Sequence, residues 1–145
     1  MQLHDPNLHQ KLIEMCDCYL DTDFPVQLRQ AAIAKGSDPQ EEAMKYLALA
    51  LLHALTLRAE KLSFRRKKED LSVTVTADGE KNSLPAPTPA MFGKIIELMR
   101  AILHSEAAKE KTALALGLRS GDLELQVKVE QEGDKESLKI KFPKN

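Results

Sequence analysis

Apolar and polar positions follow two periods along this chain, and the change of period separates helices from strands. Between positions 8 and 20, Leu8, Leu12, Met15, Cys16, Tyr19 and Leu20 lie near one helical stripe. Asp5-Pro6 ahead of it has the chemistry of a cap and a first-turn proline. Pro25 interrupts, and a second short helix is predicted over 26–35, stopped by Gly36. Ser37-Asp38-Pro39-Gln40-Glu41-Glu42 is a strong helix start, with a capping residue, a proline just inside and acids in the first turn. That helix is predicted to reach about residue 58. Its apolar positions, among them Met44, Leu47, Leu51 and Leu55, nearly encircle it, which predicts cover on more than one side.

The period then falls to two. Strands are predicted at 61–64 and 71–77, separated by a polar turn over 65–70. In the second strand Leu71, Val73, Val75 and Ala77 take one face and Ser72, Thr74 and Thr76 the other. Asp78-Gly79 opens a loop that runs through Leu84-Pro85-Ala86-Pro87-Thr88-Pro89, whose alternate prolines cannot join a central strand. Thr88 caps the next helix, Pro89 opens it, and Phe92, Ile95, Ile96, Met99, Ile102 and Leu103 form its buried stripe. In the tail Leu123, Leu125, Val127 and Val129 alternate with polar residues, Gly133-Asp134 turns the chain, and Leu138, Ile140 and Phe142 alternate with Lys139 and Lys141. Residues 113–118 suit a further strand, although their alanines also allow helix. The sum is an α+β domain: a small antiparallel or mixed sheet packed on two main helices over 37–145, with an N-terminal helical hairpin at 1–36.

The 145 residues carry 21 Lys and Arg against 22 Asp and Glu, a net charge of −1, which argues against a general nucleic-acid or membrane-surface binder. The longest apolar stretch, 46–52, is far short of the roughly 20 residues a spanning helix needs. Cys16 and Cys18 would point about 200° apart on a helix, which disfavours a mutual bridge and suits structural thiols. The start Met-Gln-Leu-His-Asp-Pro has no basic leader before an apolar core, so the expected location is the cytoplasm.

Catalytic chemistry finds little support. No Gly-x-x-x-x-Gly-Lys-Ser/Thr cradle exists; the nearest fragment, Gly93-Lys94, lacks the earlier glycine and runs into Ile95. His4 and His9 are poorly spaced for a helical ligand pair, and His53 lies in an apolar helix, where a satisfied side chain is the simpler reading. No zinc or calcium pattern appears, so no metal or cofactor is expected. Ser63, Ser72 and Ser105 sit in no nucleophile elbow, and a dyad of Cys16 or Cys18 with His53 has nothing specific behind it. The sharpest surface feature is Arg65-Arg66-Lys67-Lys68, read either as a site for an anionic partner or as a solvated turn balanced by Glu69 and Asp70.

The order of these elements resembles the second N-terminal domain, PAS-like in architecture, of type II secretion and type IV pilus assembly ATPases. That family has a long helix followed by Ala-Ser-Asp-Ile-His-Ile-Glu-Pro. A strand of alternating arginines closing on Ile-Asp-Gly comes next, then a Pro-rich loop and a helix of the Ile-Lys-x-Leu-Ala kind. Ala59 to Arg66 is similar to the first motif with its polar residues replaced. Leu71 to Gly79 is similar to the second, with Ser72, Thr74 and Thr76 where the family has arginines. Leu84-Pro85, Ile95 to Leu103 and Gly121 to Val129 match the loop, the helix and a later strand, so the likeness spans about 40–142. In the family those arginines reach a nucleotide on the neighbouring ATPase module; here the charge and the module are both missing, and that role does not carry over.

The expectation is therefore a non-catalytic protein-interaction domain, an accessory or regulator in secretion or pilus assembly. Docking is expected through the sheet edge or the apolar helix, and Arg65, Arg66, Lys67, Lys68, Ser72, Thr74 and Thr76 are the candidate interaction surface. Part of the leucine-rich helix with the 1–36 hairpin could alternatively face a second copy, making a homodimer. A PAS-like small-ligand sensor is the alternative function; a nucleic-acid accessory ranks third and is disfavoured, since rings for base stacking are scarce.

Overall fold

Asp23, Asp38 and Thr88 decide where three helices begin, because each offers an oxygen to an otherwise unpaired amide of the first turn. The structure is a computed structural model that describes residues 7–33, 38–104, 107–119 and 121–143. Asp23 accepts from the Val26 N–H at 3.2 Å, Asp38 from Glu41 at 3.1 Å, and the Thr88 hydroxyl from Met91 at 3.2 Å. The helices are α1 (Leu8–Cys18), α2 (Phe24–Ala32), α3 (Pro39–Thr56) and α4 (Pro89–Leu103). Pro25 does not separate helices as expected. It lies in the first turn of α2, where its missing N–H costs nothing, so α2 starts at Phe24. That helix ends at Ala32, capped by Ile33, short of the predicted end at 35; the features expected at Asp5-Pro6, Gly36 and Ser37 fall outside the described residues.

Six strands follow the α+β expectation: β1 (Lys61–Lys67), β2 (Asp70–Ala77), β3 (Glu80–Leu84), β4 (Lys109–Leu118), β5 (Gly121–Glu132) and β6 (Lys135–Lys141). They form one sheet in the order β3-β2-β1-β6-β5-β4, with every pairing antiparallel. Three local expectations change. The turn predicted over 65–70 shrinks to Lys68-Glu69, because β1 continues through Arg65, Arg66 and Lys67 with partners on both sides. Residues 80–84 are not loop but β3, since Asp78 (φ 53) and Gly79 (φ 77) make the tight left-handed turn that folds a hairpin back. The ambiguous 113–118 segment is strand, within β4.

The helices cover one face of the sheet. Leu62 and Phe64 of β1, Val73 and Val75 of β2, Val127 and Val129 of β5, and Leu138 and Ile140 of β6 are buried beneath them. α3 is the central rod: Ala43, Met44 and every residue from Tyr46 to Leu52 are buried, as the apolar encirclement predicted. α1, α2 and α4 all pack against it, and Leu8, Leu12, Cys16, Phe24 and Leu28 belong to the same core. Tyr46 and Phe64 meet edge to face at 6.3 Å, and the Tyr46 hydroxyl donates to the Pro85 carbonyl at 2.5 Å. The proline loop is thereby pinned to the central helix.

Candidate functional site

Alternation in a strand sends successive side chains to opposite faces, so burying Leu62 and Phe64 forces Lys61, Ser63, Arg65 and Lys67 onto the open face. On β6, burying Leu138 and Ile140 does the same for Lys135, Ser137, Lys139 and Lys141. β1 and β6 are neighbours at the centre of the sheet. Their open-face positions pair Lys61 with Lys141, Ser63 with Lys139, Arg65 with Ser137 and Lys67 with Lys135. Those eight positions hold six cations, two serines and no carboxylate.

The flanking strands differ. β2 adds Ser72, Thr74 and Thr76 opposite Arg65, Ser63 and Lys61, with Asp70 opposite Lys67. β5 adds Lys128 beside Lys139, together with Glu130 and Glu132. Glu130 takes up the charge at that edge: Lys128 Nζ lies at 2.8 Å and Lys109 Nζ at 3.9 Å. The hydrogen bond from Lys128, reinforced by the charges of Lys128, Lys109 and Lys139, holds the Glu130 carboxyl below its usual range. The central cations have no such partner; among the described residues none of the six makes an ion pair with a carboxylate. The Lys139 ammonium is held below the usual lysine range by burial first, then by Arg65, Lys61 and Lys128, with Glu130 opposing.

Of the residues expected at the interaction surface, Arg65, Lys67, Ser72, Thr74 and Thr76 share this open face. Arg66 and Lys68 do not. Arg66 points to the helix side, where its guanidinium meets Glu136 at 3.4 Å and donates to the Lys68 carbonyl at 3.0 Å. Lys68 occupies the turn at φ 57, its N–H bonded to the Asp134 carbonyl at 3.1 Å. The sequence reading missed Lys61, Lys135, Lys139 and Lys141. The tail alternation already put Lys139 and Lys141 on one face; what it lacked was the identity of the neighbouring strand.

The other candidates are dispersed. His9 Nε2 lies 2.6 Å from the Ala115 carbonyl, tying α1 to β4, while His4 and Ser105 are outside the described residues. His53 is half-buried in α3, its imidazole pKa lowered by burial, and His104 ends α4 at φ 56. Cys16 is buried and Cys18 exposed, both as free thiols, and burial aided by Asp17 pushes the Cys16 thiol up to about 12. Lys94 is paired with Glu97 at 3.3 Å within α4. Among the described residues no group of three or more His, Cys, Asp or Glu is placed to hold a metal, and no helix is long and apolar enough to cross a membrane. A hollow of about 810 Å³ lies at the end of the cationic strip, with Lys61, Thr76 and Lys141 on one side and Leu55, Leu123 and Phe142 on the other. No family model matches the chain, and no curated protein matches it.

Proposed function

We propose that this chain is a non-catalytic protein-interaction domain that docks its partner on the open face of the sheet. One observation carries the reading: on that face the two central strands present six cations and no carboxylate, although the chain as a whole is nearly neutral. A face that merely needed solvation would mix both signs, as the outer strands do. Ser72, Thr74 and Thr76 add hydroxyls that donate or accept hydrogen bonds without holding a triphosphate, while Ser63 opposite Thr74 is buried. The resemblance to the secretion-ATPase domain suggests a place in secretion or pilus assembly, and the order of sequence elements is its whole support.

Affinity capture from native cells tests the docking face. Wild-type protein should retain a partner that a Lys61→Glu, Lys139→Glu double variant of equal thermal stability loses; recovery of the same partner by both would remove the face from consideration. Incubation with ATP and magnesium should release no phosphate above background, and sustained turnover would end the non-catalytic reading.

The sensor alternative has the 810 Å³ hollow in its favour, a volume within the usual range of ligand sites. It opens at the end of the sheet rather than beneath it. A reproducible thermal shift with one metabolite, abolished by Leu123→Arg, would favour that reading.

A further inference from the structure

We propose that the segment docked on this face is an extended acidic stretch of polypeptide, lying along β1 and β6 with its carboxylates on the six cations. The inference rests on the docking reading above and names the chemistry of the partner.

Lysines on edge strands commonly guard against aggregation, but β1 and β6 lie in the middle of the sheet, where no edge needs guarding. Lys61 faces Lys141 and Lys67 faces Lys135, so two of the four cross-strand pairs set like charges opposite each other. Asp70 and Glu132 lie opposite Lys67 and Lys135 on the flanking strands, yet among the described residues none of the six cations closes an ion pair with a carboxylate. On β5 Glu130 pairs with Lys109 and Lys128, whereas Lys61, Arg65, Lys139 and Lys141 have no carboxylate directly opposite on either neighbouring strand.

Shape narrows the ligand. Same-face residues of a strand recur about every 6.7 Å, and neighbouring strands lie about 4.8 Å apart. An extended peptide with an acid at every second position has the same repeat. The strip is only two strands wide, bounded by Glu130 and Glu132 on β5 and Asp70 on β2. A nucleic-acid duplex is far broader and would press its phosphates onto those carboxylates. Single-stranded nucleic acid is held largely by stacking on aromatic rings, and the described open-face positions of all six strands carry none. Ser63 is buried, so of the two serines on the strip only the partly exposed Ser137 is open to an approaching backbone.

Fluorescence anisotropy with a labelled peptide of about eight residues, alternating Glu and Ser, tests this on the full chain. Saturable binding is expected at 0.01 M salt, weakening at least about tenfold at 0.15 M as screening lengths shorten. Lys139→Glu should weaken binding by about tenfold or more, with Lys139→Gln intermediate. Arg29→Glu, the same charge change on α2, should leave it within about twofold. No saturable binding at 0.01 M salt, or equal losses in the Lys139 and Arg29 variants, would overturn the proposal. Tighter binding of a thymidine oligonucleotide of equal charge would also overturn it, in favour of nucleic acid. The two readings fail separately. A native partner lost on the double charge reversal while the acidic peptide goes unbound refutes only the acidic chemistry, whereas a partner kept by that variant refutes the docking face itself.

Discussion

Reversing one charge in the strip, Lys141→Glu, should make the protein more stable while spoiling its proposed function. Lys141 faces Lys61 across adjacent strands, and with strands about 4.8 Å apart and side chains splayed the two ammonium groups sit about 7 Å from each other. In a water-like dielectric that repulsion is about 0.6 kcal/mol, and changing its sign swings the pair by about 1.2 kcal/mol. Screening scales the gain to about 1 kcal/mol at 0.01 M salt, about 0.5 kcal/mol at 0.15 M and about 0.1 kcal/mol at 1 M. Lysine and glutamate are both weak strand formers, so backbone preference nearly cancels. Urea is the denaturant of choice because it adds no ions. With a slope of about 2 kcal/mol per molar, the midpoint should rise by about 0.5 M at low salt, with the slope itself unchanged. A fall in midpoint at low salt would refute the reasoning, and so would a gain that persists undiminished at 1 M salt. Stabilisation of this kind is common where a site has kept uncompensated charge for binding.

Further outcomes follow from the core. Tyr46→Phe removes the part-buried 2.5 Å hydrogen bond to the Pro85 carbonyl and should cost about 1–2 kcal/mol in urea unfolding; no change would mean that the loop is held by other contacts. Cys16 is fully buried with its thiol raised to about 12, so the folded state keeps its proton while the unfolded thiol ionises near pH 9. Stability should therefore decline as pH climbs from about 9 towards 12, and Cys16→Ala should flatten the first part of that decline. The same burial predicts that iodoacetamide labels Cys18 alone in the native protein, and mass spectrometry showing rapid double labelling would contradict it. The lowered imidazole pKa of His53 means that the unfolded chain takes up the proton first. Stability should fall as pH drops below about 6.5, and a His53→Gln variant should lose that slope.

Much of the fold was legible because its signals are local. Asp38-Pro39 and Thr88-Pro89 start their helices through a hydrogen bond to an amide three residues ahead, a contact that needs no tertiary context. The all-round apolar pattern of α3 announced a helix with neighbours on several sides. β3 was not legible, because Glu80, Lys81, Asn82 and Ser83 carry no apolar alternation, and an edge strand needs only the Asp78-Gly79 turn and one partner. The length of β1 was hidden for a related reason: Arg65 to Lys67 look like turn chemistry until two flanking strands claim their backbone groups.

The sequence by itself determined that Lys61, Arg65 and Lys67 share a face if they are strand, and that Lys139 and Lys141 do likewise, since alternation is a property of the extended backbone. Only the tertiary structure set those two faces side by side. Arg66 and Glu136, 70 residues apart, meet because burial of Phe64 and Leu138 under the same helices fixes the register of β1 against β6. Apolar burial is non-directional and long-ranged in sequence, so it leaves no mark near any one lysine. The cationic strip is thus a by-product of core packing, written across two segments that are strangers in the chain.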